Sequence, residues 1–425
     1  MDDMITASFH TRFSGVRQKT QSLVAGLGAE DMLVQTMPDV SPTKWHLAHT
    51  TWFWETFLLR GRLDGYQEYN SEFNYLFNSY YDGIGERHSR AERGVLSRPF
   101  LEDVLAYRAH VDEAMGHLLS VDQNIENADL LPLIELGIAH EEQHQELILT
   151  DIKHVLSRHP FAPSAFSAPD RSRPATPGAP SWMSFDGGVV EVGAVPECFH
   201  FDNEGPRHKV IVTPFALADR LATNRDYADF IADGGYRTPT LWLSDGWARV
   251  QAENWSAPLY WRSGDTGWEE FTLHGQHALD PDAPVIHLSY YEASAFAEWC
   301  GARLPGEHEW EYAAVKSPGD VGRFAQPGRS AHPGAAVEPA PTAGGLRQMF
   351  GDAWEWTRSA YSAYPRFRPA AGAVGEYNGK FMCGQFVLRG GSCATPPRHV
   401  RATYRNFFPP DARWQFSGVR LARDI

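Results

Sequence analysis

The sequence predicts a multidomain protein of the α and α+β classes, a helical bundle followed by a domain of short strands and long loops. Three observations lead there. The chain has 425 residues, beyond the ~250–300 at which a single hydrophobic core stops growing. Pro and Gly are sparse before residue 157 and frequent after Trp182, where apolar runs shorten. Between these textures, residues 158–180 form a Pro-, Ser- and Ala-rich stretch that can hold neither a regular helix nor a central strand, and it reads as a linker. The expected domains are therefore 1–157 and 181–425, joined by 158–180.

The elements follow in order. Ser41 is placed as the N-cap, and Pro42 as the first residue, of a helix that carries His46 and His49. Apolar residues recur at helical spacing over Phe100–Leu119 and Leu130–Leu156, the latter with Pro132 in its first turn. Three or four such helices pack as a bundle. In the second part, Gly187–Val192, His208–Val212 and Gln385–Arg389 are expected strands, and only Asn224–Ala232 and Tyr290–Gly301 read as helices. The aromatic stretches Leu241–Trp247 and Pro258–Trp261 read as ordered loops. The 14 Trp, 16 Tyr and 24 Phe suit a pocketed, loop-rich fold better than a plain bundle. No internal repeat is present.

Charge and composition narrow the function. The net charge of −15 comes without any offsetting basic run, so nucleic acid is not an expected partner. No stretch approaches the ~18 apolar residues of a membrane span, and Met1-Asp2-Asp3 does not open a secretory signal. The expectation is therefore no membrane association and a cytoplasmic location. Cys198, Cys300, Cys383 and Cys393 contain no C-x-x-C pair and are expected as free thiols.

The chemistry concentrates in two segments. His140 and His144, in Gly137-Ile138-Ala139-His140-Glu141-Glu142-Gln143-His144, lie four apart, on one helix face, where two imidazoles can share a divalent ion. The blander alternative is a pair of solvated or core histidines. His46 and His49 stand three apart amid Trp45, Trp52, Phe53 and Trp54, and either can complete a three-histidine face. Neutral imidazoles suit Fe(II), Zn(II) or Cu(II), so the ligand type does not choose the metal. His140-Glu141-x-x-His144 also matches the H-E-x-x-H motif of zinc hydrolases, with the glutamate as general base, although no credible third ligand follows. A non-catalytic metal-binding protein is the third class.

These residues carry a family resemblance. Trp45–His49 and His140–His144 resemble the DinB-type helical domain, a four-helix bundle, of the sulfoxide synthases of ergothioneine biosynthesis. The second part resembles the formylglycine-generating-enzyme domain, a C-type-lectin-like fold, in Phe201–His208, Arg303–Glu311, Phe350–Trp356, Leu388–Ser392 and Phe416–Arg420. The resemblance implies a non-heme Fe(II) held by His49, His140 and His144, with His46 supporting a ligand or packing. It implies use of O2 to attach a cysteine-type thiol to the imidazole of hercynine, the trimethylammonium betaine of histidine, giving a sulfoxide. Phe77–Gly83 resembles the active-site tyrosine segment of one branch, which makes Tyr80 and Tyr81 the implied proton or electron donors, against a reading as aromatic core. Gln143, Asn406 and Phe407 match positions that hold hercynine. Arg90 and Arg93 match positions that grip the donor's carboxylate, against a reading as a solvated charge run.

Two departures refine this. The mycobacterial branch uses γ-glutamylcysteine and has an acid and an arginine where this chain has Phe408 and Ala412, so Phe408 becomes a candidate substrate contact and free cysteine the favoured donor. Formylglycine-generating enzymes hold copper through paired cysteines near the C-terminus, and no cysteine follows Cys393, so copper chemistry is not expected. Selenoneine synthase, a close relative that couples hercynine to a selenosugar, remains the alternative.

Overall fold

The computed structural model describes residues 2–120, 130–167, 177–317, 319, 321–324, 331–336 and 345–425. Part of the expected linker, 168–176, lies outside the described residues. The chain forms two compact units. The first comprises Met1–Phe161 with Pro369–Tyr377, and the second Ala162–Arg368 with Asn378–Ile425.

The first unit is built from α1 (Asp2–Val24), α2 (Thr43–Trp54), α3 (Phe73–Phe77), α4 (Leu101–Ser120) and α5 (Leu130–Ser157). Helix α2 packs on α4 and α5, and α1 packs on the same two, which makes a four-helix bundle with α3 as a short appendage. All twelve residues of α2 are buried, so its polar groups must find partners inside the protein. Lys44 Nζ donates to the Leu96 and Pro99 carbonyls at 2.8 Å, and Thr51 Oγ1 donates to the Leu47 carbonyl at 2.8 Å. Where α5 passes α2 there is no room for a side chain: a Cβ on Gly137 would lie 2.7 Å from the Trp54 ring. That close approach falls one turn before His140 and sets the spacing of the two histidine-bearing helices.

Ser41 is not the N-cap of α2. Pro42 occupies that position and no side chain caps the helix. The serine is committed to other partners: its amide N–H donates to Asp151 Oδ2 at 2.8 Å, and its hydroxyl accepts from Arg93 at 2.8 Å.

The second unit contains β1 (Trp182–Phe185), β2 (Gly188–Val192), β3 (His208–Val212), β4 (Phe215–Ala218), α6 (Asn224–Ala232), α7 (Ser244–Glu253), β5 (Trp261–Gly264), β6 (Gly267–Thr272), β7 (Gly275–Ala278), α8 (Tyr290–Trp299), α9 (Glu307–Lys316), β8 (Trp354–Ala360), β9 (Phe386–Arg389), β10 (Asn406–Phe408), β11 (Ser417–Gly418) and β12 (Ala422–Asp424). The last strand returns to pair with β4 in the order β1-β4-β12, and a second sheet runs β10-β9-β8-β11. Phe185, Phe215, Leu217, Trp310, Met349 and Ala422 form its core.

Two helices here depart from the expected loops. Helix α7 begins inside the aromatic stretch at Ser244, and α9 follows Pro305-Gly306. The buried face of α9 is charged: Glu307 meets Arg389 and Arg405 at 3.0 and 2.8 Å, Glu311 meets Arg389 at 3.1 Å, and Glu309 meets Arg303 at 2.8 Å. The same helix sends Trp310, Ala313 and Ala314 into the core, but with three of its buried positions taken by carboxylates its apolar stripe is too short to mark a helix. The same pairing explains two of the motifs quoted above, since Glu355 of Phe350–Trp356 meets Arg420 of Phe416–Arg420 at 2.9 Å with neither side chain exposed. All four cysteines are free. Among the described residues, no helix is long and apolar enough to cross a membrane.

Candidate metal centre

Helices α2 and α5 bring His49, His140 and His144 together. Their candidate ligand atoms all lie within 4.8 Å of one another, and all three residues are buried. His49 Nε2 and His140 Nε2 are 3.2 Å apart. At a metal–nitrogen distance of about 2.1 Å, two imidazoles at right angles around one ion stand about 3.0 Å apart, so this spacing fits adjacent ligands. His46 lies behind the group, with Nδ1 2.9 Å from His144 Nδ1 and Nε2 2.9 Å from Asp151 Oδ2.

The donor set suits a divalent cation. His49 Nδ1 is 2.6 Å from the Phe77 carbonyl. A carbonyl can only accept, so the proton sits on Nδ1 and the lone pair on Nε2. His140 Nδ1 is buried with no hydrogen-bond partner. Burial, followed by the neighbouring imidazoles, holds His49, His140 and His144 well below the usual histidine range, so all three are neutral at neutral pH, the form that can bind a cation. Aromatic rings wall the site: Trp45 stacks on His49 at 4.5 Å and Phe53 on His140 at 4.2 Å. Each such ring removes ~150–250 Å² from water, or about 4–6 kcal/mol before ordering costs, which helps offset the desolvation of the imidazoles.

The zinc-hydrolase alternative needs Glu141 as a general base, and the structure engages it elsewhere. Its carboxylate meets Arg17 at 3.1 Å and Arg108 at 3.2 Å. It also accepts from Thr20 and Trp54 at 2.8 Å each. Burial opposes its ionisation, but Arg17 and Arg108, with those two hydrogen bonds, outweigh it and bring the carboxyl down to about 2. A carboxylate so acidic and so fully bonded cannot serve as a base near neutral pH. H-E-x-x-H here combines two separate features, a histidine pair and a structural ion-pair centre.

An aromatic cluster borders the histidines. Tyr377, from the segment 369–377 that joins the helical unit, donates its hydroxyl to Gln143 Oε1, and its ring lies 6.0 Å from His140. Tyr80 is 6.1 Å from Tyr377, and Tyr81 is 4.7 Å from Tyr80. Burial, then the Tyr80 and Tyr377 phenols, hold the Tyr81 hydroxyl well above the usual tyrosine range. Glu376 pins the segment by accepting the Asp82 and Gly83 amides at 3.0 and 2.7 Å. Sequence reasoning missed Tyr377, which sits in Ala371-Gly372-Ala373-Val374-Gly375-Glu376-Tyr377, a stretch with no period to mark it. It also missed Asp151, although that residue lies two helical turns beyond His144 on the same face of α5.

The two arginines differ. Arg90 is exposed and donates to the Asp39 carbonyl at 2.5 Å. Arg93 is 3 % exposed. Its guanidinium lies 3.3 Å over the Trp45 ring and donates to Ser41 and Ser79 hydroxyls, and its Nε has no partner. Among the described residues, Arg93 forms no ion pair. Asn406, Phe407 and Phe408 belong to the second unit. They form β10, with Phe407 stacked on Tyr361 at 4.1 Å, Phe408 edge-on to Trp414 at 5.6 Å, and Asn406 Oδ1 accepting the Phe407 amide at 2.9 Å.

Fold and site define a two-domain protein whose helical bundle carries a candidate three-histidine metal centre. Residues 12–148 match the DinB superfamily, and residues 170–328 and 321–425 match the sulfatase-modifying factor enzyme 1-like domain. The chain is 34% identical over 440 residues to the hercynine oxygenase of Mycolicibacterium smegmatis, covering 96% of this chain and 97% of that one. It is 35% identical over 430 residues to the hercynine oxygenase of Mycobacterium tuberculosis, with 96% and 97% covered. The second part is 27% identical over 319 residues to the formylglycine-generating enzyme of Streptomyces coelicolor, covering 61% of this chain and 96% of that one. The chain belongs to the hercynine oxygenase family, oxidoreductases that join a DinB-type bundle to a C-type-lectin-like domain.

Proposed function

We propose that this protein joins a cysteine-type thiol to C2 of the hercynine imidazole, using O2 and one ferrous ion held by His49, His140 and His144. The observation that carries the reading is the convergence of three buried imidazoles beside the Tyr377 ring. In the balanced reaction the imidazole C–H and the thiol S–H are lost and a C–S bond forms. One oxygen atom ends in the sulfoxide and the other leaves as water. His49, His140 and His144 would hold the ferrous ion, which when bound would supply open positions for the thiol and O2.

The chain's own groups bind, orient and move protons. Tyr377, held by Gln143 and with its ring 6.0 Å from that of His140, is assigned as the proton donor; Tyr80 and Tyr81 back it. By their chemistry Gln143 and Asn406 are assigned to the imidazole nitrogens of hercynine, which an amide can hydrogen-bond, and Phe407 to its trimethylammonium, which an aromatic face attracts. Arg93, a buried cation with no carboxylate of its own, takes the donor's carboxylate, with Arg90 at the exposed rim. This favours an amino-acid donor over a neutral selenosugar, and Phe408 in place of a charged residue favours free cysteine over γ-glutamylcysteine. The reaction belongs in the cytoplasm, where thiols stay reduced.

Incubating the full chain with Fe(II), O2, hercynine and, in turn, cysteine, γ-glutamylcysteine and a selenosugar, followed by mass spectrometry, tests this. The expected outcome is a hercynyl-cysteine sulfoxide as the main product. Turnover of the selenosugar alone reassigns the donor, and consumption of none of them overturns the reaction.

A further inference from the structure

On the reading of these imidazoles as a metal centre, we propose that Asp151 and His46 form a tautomer lock on His144: two positioning residues that fix its lone pair on Nε2, the nitrogen left for the ion. The polarity follows link by link. Asp151 Oδ2 accepts the Ser41 amide at 2.8 Å and faces His46 Nε2 at 2.9 Å. A carboxylate only accepts, so the His46 proton sits on Nε2, and the neutral ring has a bare Nδ1. That bare nitrogen lies 2.9 Å from His144 Nδ1, which must therefore be the donor. With its proton on Nδ1, His144 offers its lone pair at Nε2. An ion held at Nε2 admits only this polarity.

The three imidazoles are supported differently. His49 is fixed by a main-chain carbonyl, Phe77, that no substitution removes. His140 Nδ1 has no partner at all. Only His144 is held through side chains, and every member of its chain is 7 % exposed or less, so water does not substitute for them. The lock accounts for the second histidine of Trp45-His46-Leu47-Ala48-His49, and for the Ser41 amide that bonds to α5 instead of serving its own helix. Carboxylate–histidine–metal chains are common. Here a whole imidazole is interposed, so α2 supplies both a ligand, His49, and the support of a ligand on α5.

The test is anaerobic Fe(II) affinity of the full chain, read by competition with a chelating dye. His46→Leu removes the acceptor at similar bulk, and His46→Asn places an amide oxygen near the position of Nδ1. Affinity is expected to fall ~10–100-fold in His46→Leu and to return to within ~3-fold of native in His46→Asn, the range seen when an outer partner of a ligand is lost. If His46→Leu does not fold, Asp151→Leu against Asp151→Asn makes the same comparison one link further out, with the asparagine oxygen still accepting from His46. Native affinity in His46→Leu, or equal loss in His46→Asn and His46→Leu, overturns the lock. Native protein that takes up no iron is a separate result, which overturns the metal centre itself.

Discussion

Helix α5 carries two buried polar centres one residue apart, and they are opposites. Glu141 is saturated, with two guanidiniums, a hydroxyl and an indole N–H around one carboxylate. Around the corner of the helix, His140 and His144 are equally dry, yet His140 has an unpartnered nitrogen and the three lone-pair atoms gather in one place. Burial alone does not separate structure from chemistry. Whether the buried group's hydrogen-bonding capacity is already used does.

That contrast can be broken from either side. The largest effect is expected at the histidines: His140→Ala should lower iron affinity by more than the ~100-fold that loss of an outer partner reaches, and abolish turnover. Metal analysis after desalting checks it. The opposite behaviour is expected one residue on. Glu141→Gln leaves buried Arg108 without a carboxylate and Arg17 with Asp112 alone, and should cost ~3–5 kcal/mol in urea unfolding, while folded protein still binds one iron per chain.

The Glu141 contribution also has a defined pH window. Its carboxyl is about 2 in the fold against an ordinary 4.5, so its stabilisation, roughly 3 kcal/mol, is present above 4.5 and is lost as pH falls toward 2. The stability gap between native and Glu141→Gln should therefore narrow across that acid range. A gap that stays constant, or widens, would show that the charge is not what the two arginines recognise.

Smaller effects sharpen the chemical side. Tyr377→Phe removes one hydroxyl and should slow sulfoxide formation by ~10²-fold or more, the usual contribution of a positioned proton donor, with iron affinity essentially unchanged. A variant as fast as native returns the role to Tyr80 or Tyr81. Arg93→Lys keeps the charge but loses the guanidinium fork, and should raise KM for the thiol donor about tenfold with little change in kcat. Equal change in KM for hercynine would place the arginine on the wrong substrate.

Legibility followed regularity. The histidines of α5 and α2 stood out because a helix repeats, so residues four apart share a face whatever surrounds them. Asp151 obeyed the same rule and was legible in principle, but an aspartate two turns along a helix looks like solvated surface until the serine and histidine that face it are known. Tyr377 was not legible. It reaches the helical unit from a loop in the middle of the second unit's chain, and no local pattern encodes that placement. The same held for α9, whose carboxylates look exposed in sequence and are buried against arginines about 80 and 100 residues downstream. Glu141 misled in the other direction: its motif was real, and its partners lie on α1, α2 and α4, where no short motif records them.

The most direct measurement is X-ray absorption at the iron edge on the full chain loaded anaerobically with one equivalent of Fe(II). Three imidazole nitrogens at about 2.1 Å are expected, with the remaining positions filled by light atoms that a thiol displaces. A first sphere with fewer imidazoles, or one containing a protein carboxylate, would contradict the three-histidine centre on which the function rests.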